Sequence, residues 1–292
     1  MRLQRTIRGE RSFTGWGLHS GRRARMLLRP APRDTGVVFH RRDKGGFVPA
    51  QVAMVSDTAF ATTLRVNGSR VRTVEHLLSA AAGLGVDNMV VELEGPEVPI
   101  MDGSARAFAE GILAAGVAPQ GVYRSYIKVI EPVSFRDGHA EIVALPYEGR
   151  AVTCHVSYGH PLVGEQRMCV DLEDEESFVR EIAPARTFGF LKDVQRLKSM
   201  GLAQGGSLDN AVLLSDTGVI NASGLRFKDE CVRHKILDFV GDLSLAGLPI
   251  EAHFIVSRSG HAANTKFLRH LLSDPGCWQI VSGAEHGLRV PA

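Results

Sequence analysis

The sequence has little cysteine, almost no excess of charge and no long apolar run, and each shortage closes off a class of function. Its four cysteines, Cys154, Cys169, Cys231 and Cys277, are widely spaced with no C-x-x-C. That pattern fits neither a disulfide framework nor a thiolate zinc site, and it suits a reducing compartment. The 34 basic residues nearly cancel the 32 acidic ones, for a formal net charge of +2. No nucleic-acid partner is therefore expected, although a local anion site is compatible with this balance. The opening MRLQRTIRGERS carries charges every few residues in place of the apolar core of a signal peptide, and no later run reaches the length of a membrane span. The expectation is a cytoplasmic protein with no transmembrane segment.

A chain of 292 residues that is 44% apolar and 23% charged can bury a large core and exceeds the usual size of one domain. Up to about Gly116, strands are predicted near Leu3–Ile7, Ala24–Leu28, Gly36–His40, Ala61–Val66 and Met89–Leu93. Val74, Leu77, Leu78, Ala81 and Leu84 recur at helical spacing and predict a one-sided helix over Val74–Leu84, which Gly83 and Gly85 end. A second helix is predicted over Ala105–Ala115 with Ser104 as its N-cap. Ala118-Pro119-Gln120-Gly121 breaks the pattern and is the linker candidate, dividing the chain into domains 1–120 and 121–292. Beyond it, strands are predicted at Ser125–Phe135, Ala140–Leu145, Val152–Ser157 and Arg167–Val170. A long helix over Phe227–Leu245, a strand over Ile250–Ser257 and a helix over Ala262–Leu272 follow. Strands in blocks with helices after them point to an α+β fold, not a doubly wound parallel sheet.

Three constellations carry chemistry. In FKDECVRHKILDFVGDL, His234, Asp238 and Asp242 stand at i, i+4 and i+8, on one stripe of the helix. An imidazole and a carboxylate one turn apart can share a divalent cation, and a surface turn with a weak ion pair has the same spacing. His270 and Asp274 repeat that spacing, but Asp274 precedes Pro275, where a helix usually stops. Glu75 and His76 are neighbours on the first helix, and Glu285-His286 in the C-terminal tail is the same pair without the helix. Helix neighbours differ by about 100°, so His76 could ligate while Glu75 reaches a water on the metal as its base. A solvated Glu beside a half-buried His is the plainer reading of these two residues by themselves. Gly260-His261 lies at a strand-to-helix junction, where Asp242, if near, would favour imidazolium, the form a general acid needs. A histidine bonded to a backbone group at a helix start is the plainer alternative. GWGLHSG matches neither phosphate-loop spacing and reads as a glycine turn between strands.

Together and in this order, TGWGLHSG, TVEHLLSAAAGLGVDN, VPIMDGSA, ARTFGFLKDV, GLAQGGSLDNA, GLRFKDECVRHKILDFVGDL and SGHAAN resemble one family, the zinc-dependent UDP-3-O-acyl-N-acetylglucosamine deacetylases of lipid A biosynthesis. The resemblance implies two similar domains, each a mostly antiparallel sheet with two helices, with the helices sandwiched between the sheets. It implies zinc (Zn2+) held by His76, His234 and Asp238, Glu75 as general base, and His261 as general acid oriented by Asp242. It also implies that Thr187 helps to hold the oxyanion and that Lys235 meets diphosphate or sugar oxygens. Phe188, Leu191, Val194, Ala203, Leu208 and Ala211 are candidates to line an acyl channel or to be plain core, and Asp193 faces the uridine side. Arg258 stands where a lysine is usual, and His19 is placed at the edge of the site without a role. The implied substrate is an acylated UDP-sugar bound by a monomer, in the committed step of the pathway. Trp16, Ala263, Thr265 and the Ser157–Pro161 stretch depart from the family pattern without removing a ligand or the base. Another zinc amidohydrolase and a non-catalytic sugar-nucleotide-binding protein are the competing readings.

Overall fold

The computed structural model describes residues 2–282. Two sheets face each other across a layer of helices, and both are wound in the same way. In the first, the strand order is Arg11–Trp16, Arg23–Pro30, Met89–Glu94, Val37–Arg41, Gly46–Pro49. Every neighbouring pair is antiparallel except Met89–Glu94 with Val37–Arg41. In the second, Val133–Asp137, Ala140–Leu145, Ile250–Ser257, Arg150–Ser157 and Glu165–Asp171 repeat that order and those directions. Ser125–Val129 and Trp278–Ser282 bring this sheet to seven strands. The fold is α+β, and its duplicated topology was invisible as a sequence repeat.

The helices are α1 (Glu75–Gly83), α2 (Arg106–Ala115), the short α3 (Glu175–Ser177), α4 (Leu191–Ser199), α5 (Glu230–Leu243) and α6 (His261–Ser273). α1 closes in a Schellman turn: Val86 N donates to Ala81 O, Gly85 N to Ala82 O, and Gly85 takes φ +60°. Gly83 lies inside the helix and serves packing, because a methyl group there would strike the Phe178 ring. The one-sided stripe predicted for α1 is only half of the finding. Glu75, His76 and Ser79 on its polar side are buried as well, because that side packs against α5. Phe13 meets Phe108 edge-on beneath α2, and Phe254 meets Phe239 and Phe267 beneath α5 and α6. One continuous apolar core runs through both halves.

Several predicted boundaries move. The linker candidate lies in a strand, Val117–Tyr123, which pairs antiparallel with Leu3–Ile7 and ties the start of the chain to its middle. Pro119 is tolerated there because a two-stranded ribbon leaves edge positions that need no donor. The single strand expected over Ser125–Phe135 is two, Ser125–Val129 and Val133–Asp137. The long helix starts at Glu230, not Phe227, and ends in a 3-10 turn over Ser244–Ala246. Ala105, not Ser104, holds the N-cap position of α2, and Ser104 Oγ accepts from Arg106 N at 3.2 Å. Each half carries an insert between its second hairpin and its first helix. The first is a three-stranded sheet over Val55–Arg72, and the second holds α3, α4 and a three-stranded sheet at Phe188–Phe190, Val212–Ser215 and Gly218–Val219.

Candidate active site

α1 and α5 can cross closely because α5 has Gly241 at the contact, where a side chain would collide with the Glu75 carbonyl. That approach brings Glu75 and His76 of one half against His234, Asp238 and Asp242 of the other, and all five are buried. One donor atom from each of His76, His234 and Asp238 lies within 4.8 Å of the others. His76 Nε2 and His234 Nε2 stand 3.7 and 3.4 Å from Asp238 Oδ1, and the two rings are perpendicular with centroids 5.0 Å apart. Asp238 Oδ1 and His76 Nδ1 are buried without a hydrogen-bond partner, which is costly unless something else satisfies them. Two imidazoles and a carboxylate with unspent lone pairs are a donor set that a divalent cation would complete.

The surroundings fix these side chains. His234 Nδ1 lies 3.0 Å from the Ala185 carbonyl, which can only accept, so the proton sits on Nδ1 and the Nε2 lone pair faces the cluster. Ala185 is held in turn by its neighbour: Arg186 and Glu230 form a buried pair at 2.8 Å, and Glu230 also accepts from Arg186 N and Arg226 N. Lys235 Nζ donates to Asp238 Oδ2 at 2.7 Å. Burial lowers the pKa of His234 to about 3, with help from the charges of His76 and Lys235 and against Asp238, so the ring is neutral. Burial works to raise the Asp238 pKa, but the cations of Lys235 and His261 hold it well below the usual carboxylate range.

A second group faces this cluster. His261 Nδ1 donates to Asp242 Oδ2 at 2.8 Å, which leaves Nε2 3.8 Å from Glu75 Oε1 and 4.0 Å from Asp238 Oδ2. Burial opposes the charged ring, but Asp242, Asp238 and Glu75 outweigh it and lift the His261 pKa to about 10. Glu75 is raised, chiefly by burial. The site thus sets a carboxyl group that protonates readily beside an imidazole that keeps its proton. Thr62 joins the two: its N–H donates to Glu75 Oε2 at 3.1 Å and its hydroxyl to Asp242 Oδ1 at 2.6 Å. Asn264 Nδ2 donates to Asp242 Oδ2 at 2.8 Å.

Of the remaining predicted residues, Phe188 touches this centre through His234. Thr187 follows Ala185 and Arg186 on the same strap, its N–H donating to Gly103 O and its carbonyl accepting from Val212 N. Phe188 packs between His234 and Tyr158, with Lys235 Nζ 5.8 Å from its ring centroid. It belongs to a small second apolar cluster with Val212, Leu214 and Cys231. Leu191 and Leu208 are exposed, Val194, Ala203 and Ala211 half-buried, and Asp193 pairs with Arg196 at 3.0 Å. Arg258 is exposed at φ +51°, its N–H on His155 O.

The GWGLHSG turn proves to be a glycine turn between strands, and it also caps the site. Glu97 accepts from His19 N, Ser20 N and Thr73 Oγ1 and so clamps the turn to the residues entering α1. His19 sits at the edge of the site between Phe60 O and Ala203 N, its pKa lowered to about 4 by burial and by Arg72. The Asp274 carboxylate turns away from His270 to Gly276 N and Cys277, and Glu285-His286 lies outside the described residues. All four cysteines are free. Thr62, Asn264, Glu97 and the Ala185 carbonyl were not found from sequence, since single polar residues far from the motifs give no spacing signal. Ala185 opens the ARTFGFLKDV motif and Asn264 ends SGHAAN, three residues after His261, but neither has a spacing that marks its role. A cavity of about 200 Å³ lies behind α1 and α5 against Leu78 and Val240, and its lining holds no histidine.

Residues 4–273 match the family model for UDP-3-O-acyl N-acetylglycosamine deacetylase. The chain is 48% identical over 280 residues to the UDP-3-O-acyl-N-acetylglucosamine deacetylase of Thermodesulfovibrio yellowstonii, covering 96% of this chain and 95% of that protein. It is 48% identical over 280 residues to the Myxococcus xanthus protein of that name, with 95% and 89% covered. For the Nitratidesulfovibrio vulgaris protein of that name the identity is 49% over 270 residues, with 92% and 87% covered.

Proposed function

The chain belongs to the UDP-3-O-acyl N-acetylglycosamine deacetylase family, and from that premise we propose that it hydrolyses the N-acetyl group of UDP-3-O-(3-hydroxyacyl)-N-acetylglucosamine. The products are acetate and the free amine, in the committed step of lipid A biosynthesis. The observation that carries the reading is Glu75 Oε1 3.8 Å from His261 Nε2, beside donor atoms of His76, His234 and Asp238 that lie within 4.8 Å of one another and include an unpartnered Asp238 Oδ1. His76, His234 and Asp238 would hold zinc, for which two nitrogens and one oxygen are a usual set. Bound there, it would supply Lewis acidity.

The chain's own residues do the rest. Glu75 accepts the proton of the attacking water, and its raised pKa brings it nearer the working pH, where a base is most effective. His261 holds the opposite charge state and gives its Nε2 proton to the leaving amine, while Asp242 keeps Nδ1 occupied. The Thr187 hydroxyl donates to the oxyanion as it develops. Lys235 and Arg258 meet phosphate or sugar oxygens, and Asp193 faces the uridine. Phe188, Leu191, Val194, Ala203, Leu208 and Ala211 line the path of the acyl chain, a role that the aromatic cluster around Phe188 supports. Halves 1–120 and 121–292 as the two domains, supported by the repeated strand order, belong to the same proposal. So does a cytoplasmic monomer; among the described residues no helix is long and apolar enough to cross a membrane.

The test is acetate release from the acylated UDP-sugar across several acyl lengths, with a chelator control. Release that stops on chelation and returns with zinc is expected. Activity confined to unacylated substrates would overturn the substrate, and full activity without metal would overturn the mechanism.

A further inference from the structure

Three segments converge at the mouth of the site: the turn after Trp16, the stretch around Phe60, and the loop from α4 to Leu208. Gly205 N donates to Leu18 O at 3.0 Å, Ala203 N to His19 Nδ1 at 3.4 Å, and His19 Nε2 to Phe60 O at 3.2 Å. On these segments Trp16, Phe60, Leu191, Met200 and Leu208 are each between 47% and 57% exposed. Single exposed apolar side chains are ordinary, whereas five large ones on three touching segments form a patch. α4 has no buried residue, and its Leu191, Val194 and Leu197 follow helical spacing while Lys192, Arg196 and Lys198 outnumber its one acid, Asp193. In the strand pairing Trp16 lies opposite Arg23, and Arg25 shares the outward face. Arg22, Arg23, Arg25, Lys192 and Lys198 are exposed, and none is in an ion pair among the described residues.

We propose that this rim docks on an anionic phospholipid bilayer, with the exposed side chains of Trp16, Phe60 and Met200 entering the headgroup layer and the unpaired cations meeting lipid phosphates. Charge complementarity selects that occupant. The exposed apolar residues are flanked by long cations that outnumber the acids beside them, Asp193 on α4 and Glu94 opposite Arg25, the combination that binds an anionic interface. An indole at the polar–apolar boundary is the favoured aromatic anchor. The inference extends the deacetylase reading, since an acylated substrate would reach the mouth directly from the lipid surface. It does not depend on turnover for its test.

Trp16 and Trp278 are the two tryptophans, so a Trp278→Phe variant makes Trp16 the sole reporter. On vesicles of phosphatidylglycerol with phosphatidylcholine, its emission is expected to shift to the blue and to be quenched by brominated lipid. Phosphatidylcholine alone or added salt should remove the response. Arg23→Gln and Lys198→Gln should each weaken partition about fivefold. If Trp278→Phe does not fold, Trp16→Phe in the full chain must abolish the vesicle-induced shift. Vesicle binding in a preparation that releases no acetate would still support the docking surface. No shift on anionic vesicles at low salt, or an equal response on neutral ones, would overturn it. So would self-association of the chain that Arg23→Gln and Lys198→Gln abolish.

Discussion

In each half of the molecule a pair of hairpins is followed by an insert, a buried helix, a central strand and a second helix, yet the second helices begin in different ways. α6 opens on His261, whose ring meets Asp242 and faces Glu75. α2 opens behind Asp102 and Ser104, whose side chains bond each other at 2.8 Å, with Arg226 on Asp102. The first half contributes Glu75 and His76 from its buried helix, and the second contributes His234, Asp238 and Asp242 from the matching one. Neither half holds three metal donors of the cluster by itself. A duplicated scaffold thus supplies two helices that can be pressed together, and the chemistry arises where their faces meet.

The largest effect expected from breaking this division of labour is on turnover. Glu75→Gln in one half and His261→Gln in the other should each lower kcat on the order of 10²- to 10⁴-fold, with metal content unchanged by elemental analysis. Each should also remove a different limb of the pH–rate profile. Loss of the same limb in both variants would mean that the two residues do not have opposite roles.

The two histidines of the second half should also separate in a stability titration of the chelated protein. The folded pKa of His261 is raised from 6.5 to about 10, so its contribution to stability is complete below about 6.5 and is lost as pH rises through about 10. His234 is lowered from 6.5 to about 3, and the sign reverses. As pH falls below 6.5 the unfolded chain takes up a proton that the native ring refuses until about 3, and folding is opposed. Thermal melts should therefore fall on both sides, and His261→Asn should flatten the alkaline side alone. An unchanged alkaline slope in that variant would assign the effect to another group.

A smaller effect distinguishes two helix glycines. Gly241→Ala at the α1–α5 crossing and Gly111→Ala, which would meet the Phe13 ring beneath α2, should each cost roughly 1–3 kcal/mol in denaturant unfolding. Only Gly241→Ala should also lower kcat, because it displaces Glu75. Equal activity losses would show that the crossing has no special place in catalysis. The smallest change is expected at the start of α2. Arg106→Ala removes an exposed pair with Glu110 at 2.7 Å and should cost only about 0.3–0.5 kcal/mol, with activity intact. A drop in activity there would end the contrast with α6.

The sequence displayed α1, α5 and α6 through their apolar spacing, and most strands through alternation, because those signals are local. It misplaced the chain segment around Pro119, since proline and glycine mark a turn unless an edge pairing across the whole first half makes use of them. The His234–Asp238 spacing was legible because one helical turn fixes it. Thr62 and Glu97 were not, because each acts across a distance in sequence that no local period records: Thr62 reaches Asp242, and Glu97 reaches His19 and Thr73.

What the sequence determined alone was the inventory and its local geometry: which helix carries Glu75 beside His76, and which places His234, Asp238 and Asp242 on one stripe. Only the tertiary structure decided that Gly241 lets those helices touch, and that His234 is neutral while His261 keeps its proton. The same imidazole takes opposite states because its charge depends on what surrounds it. Burial dominates for His234, and the carboxylates of Asp242, Asp238 and Glu75 dominate for His261. Those neighbours are assembled from both halves of the chain.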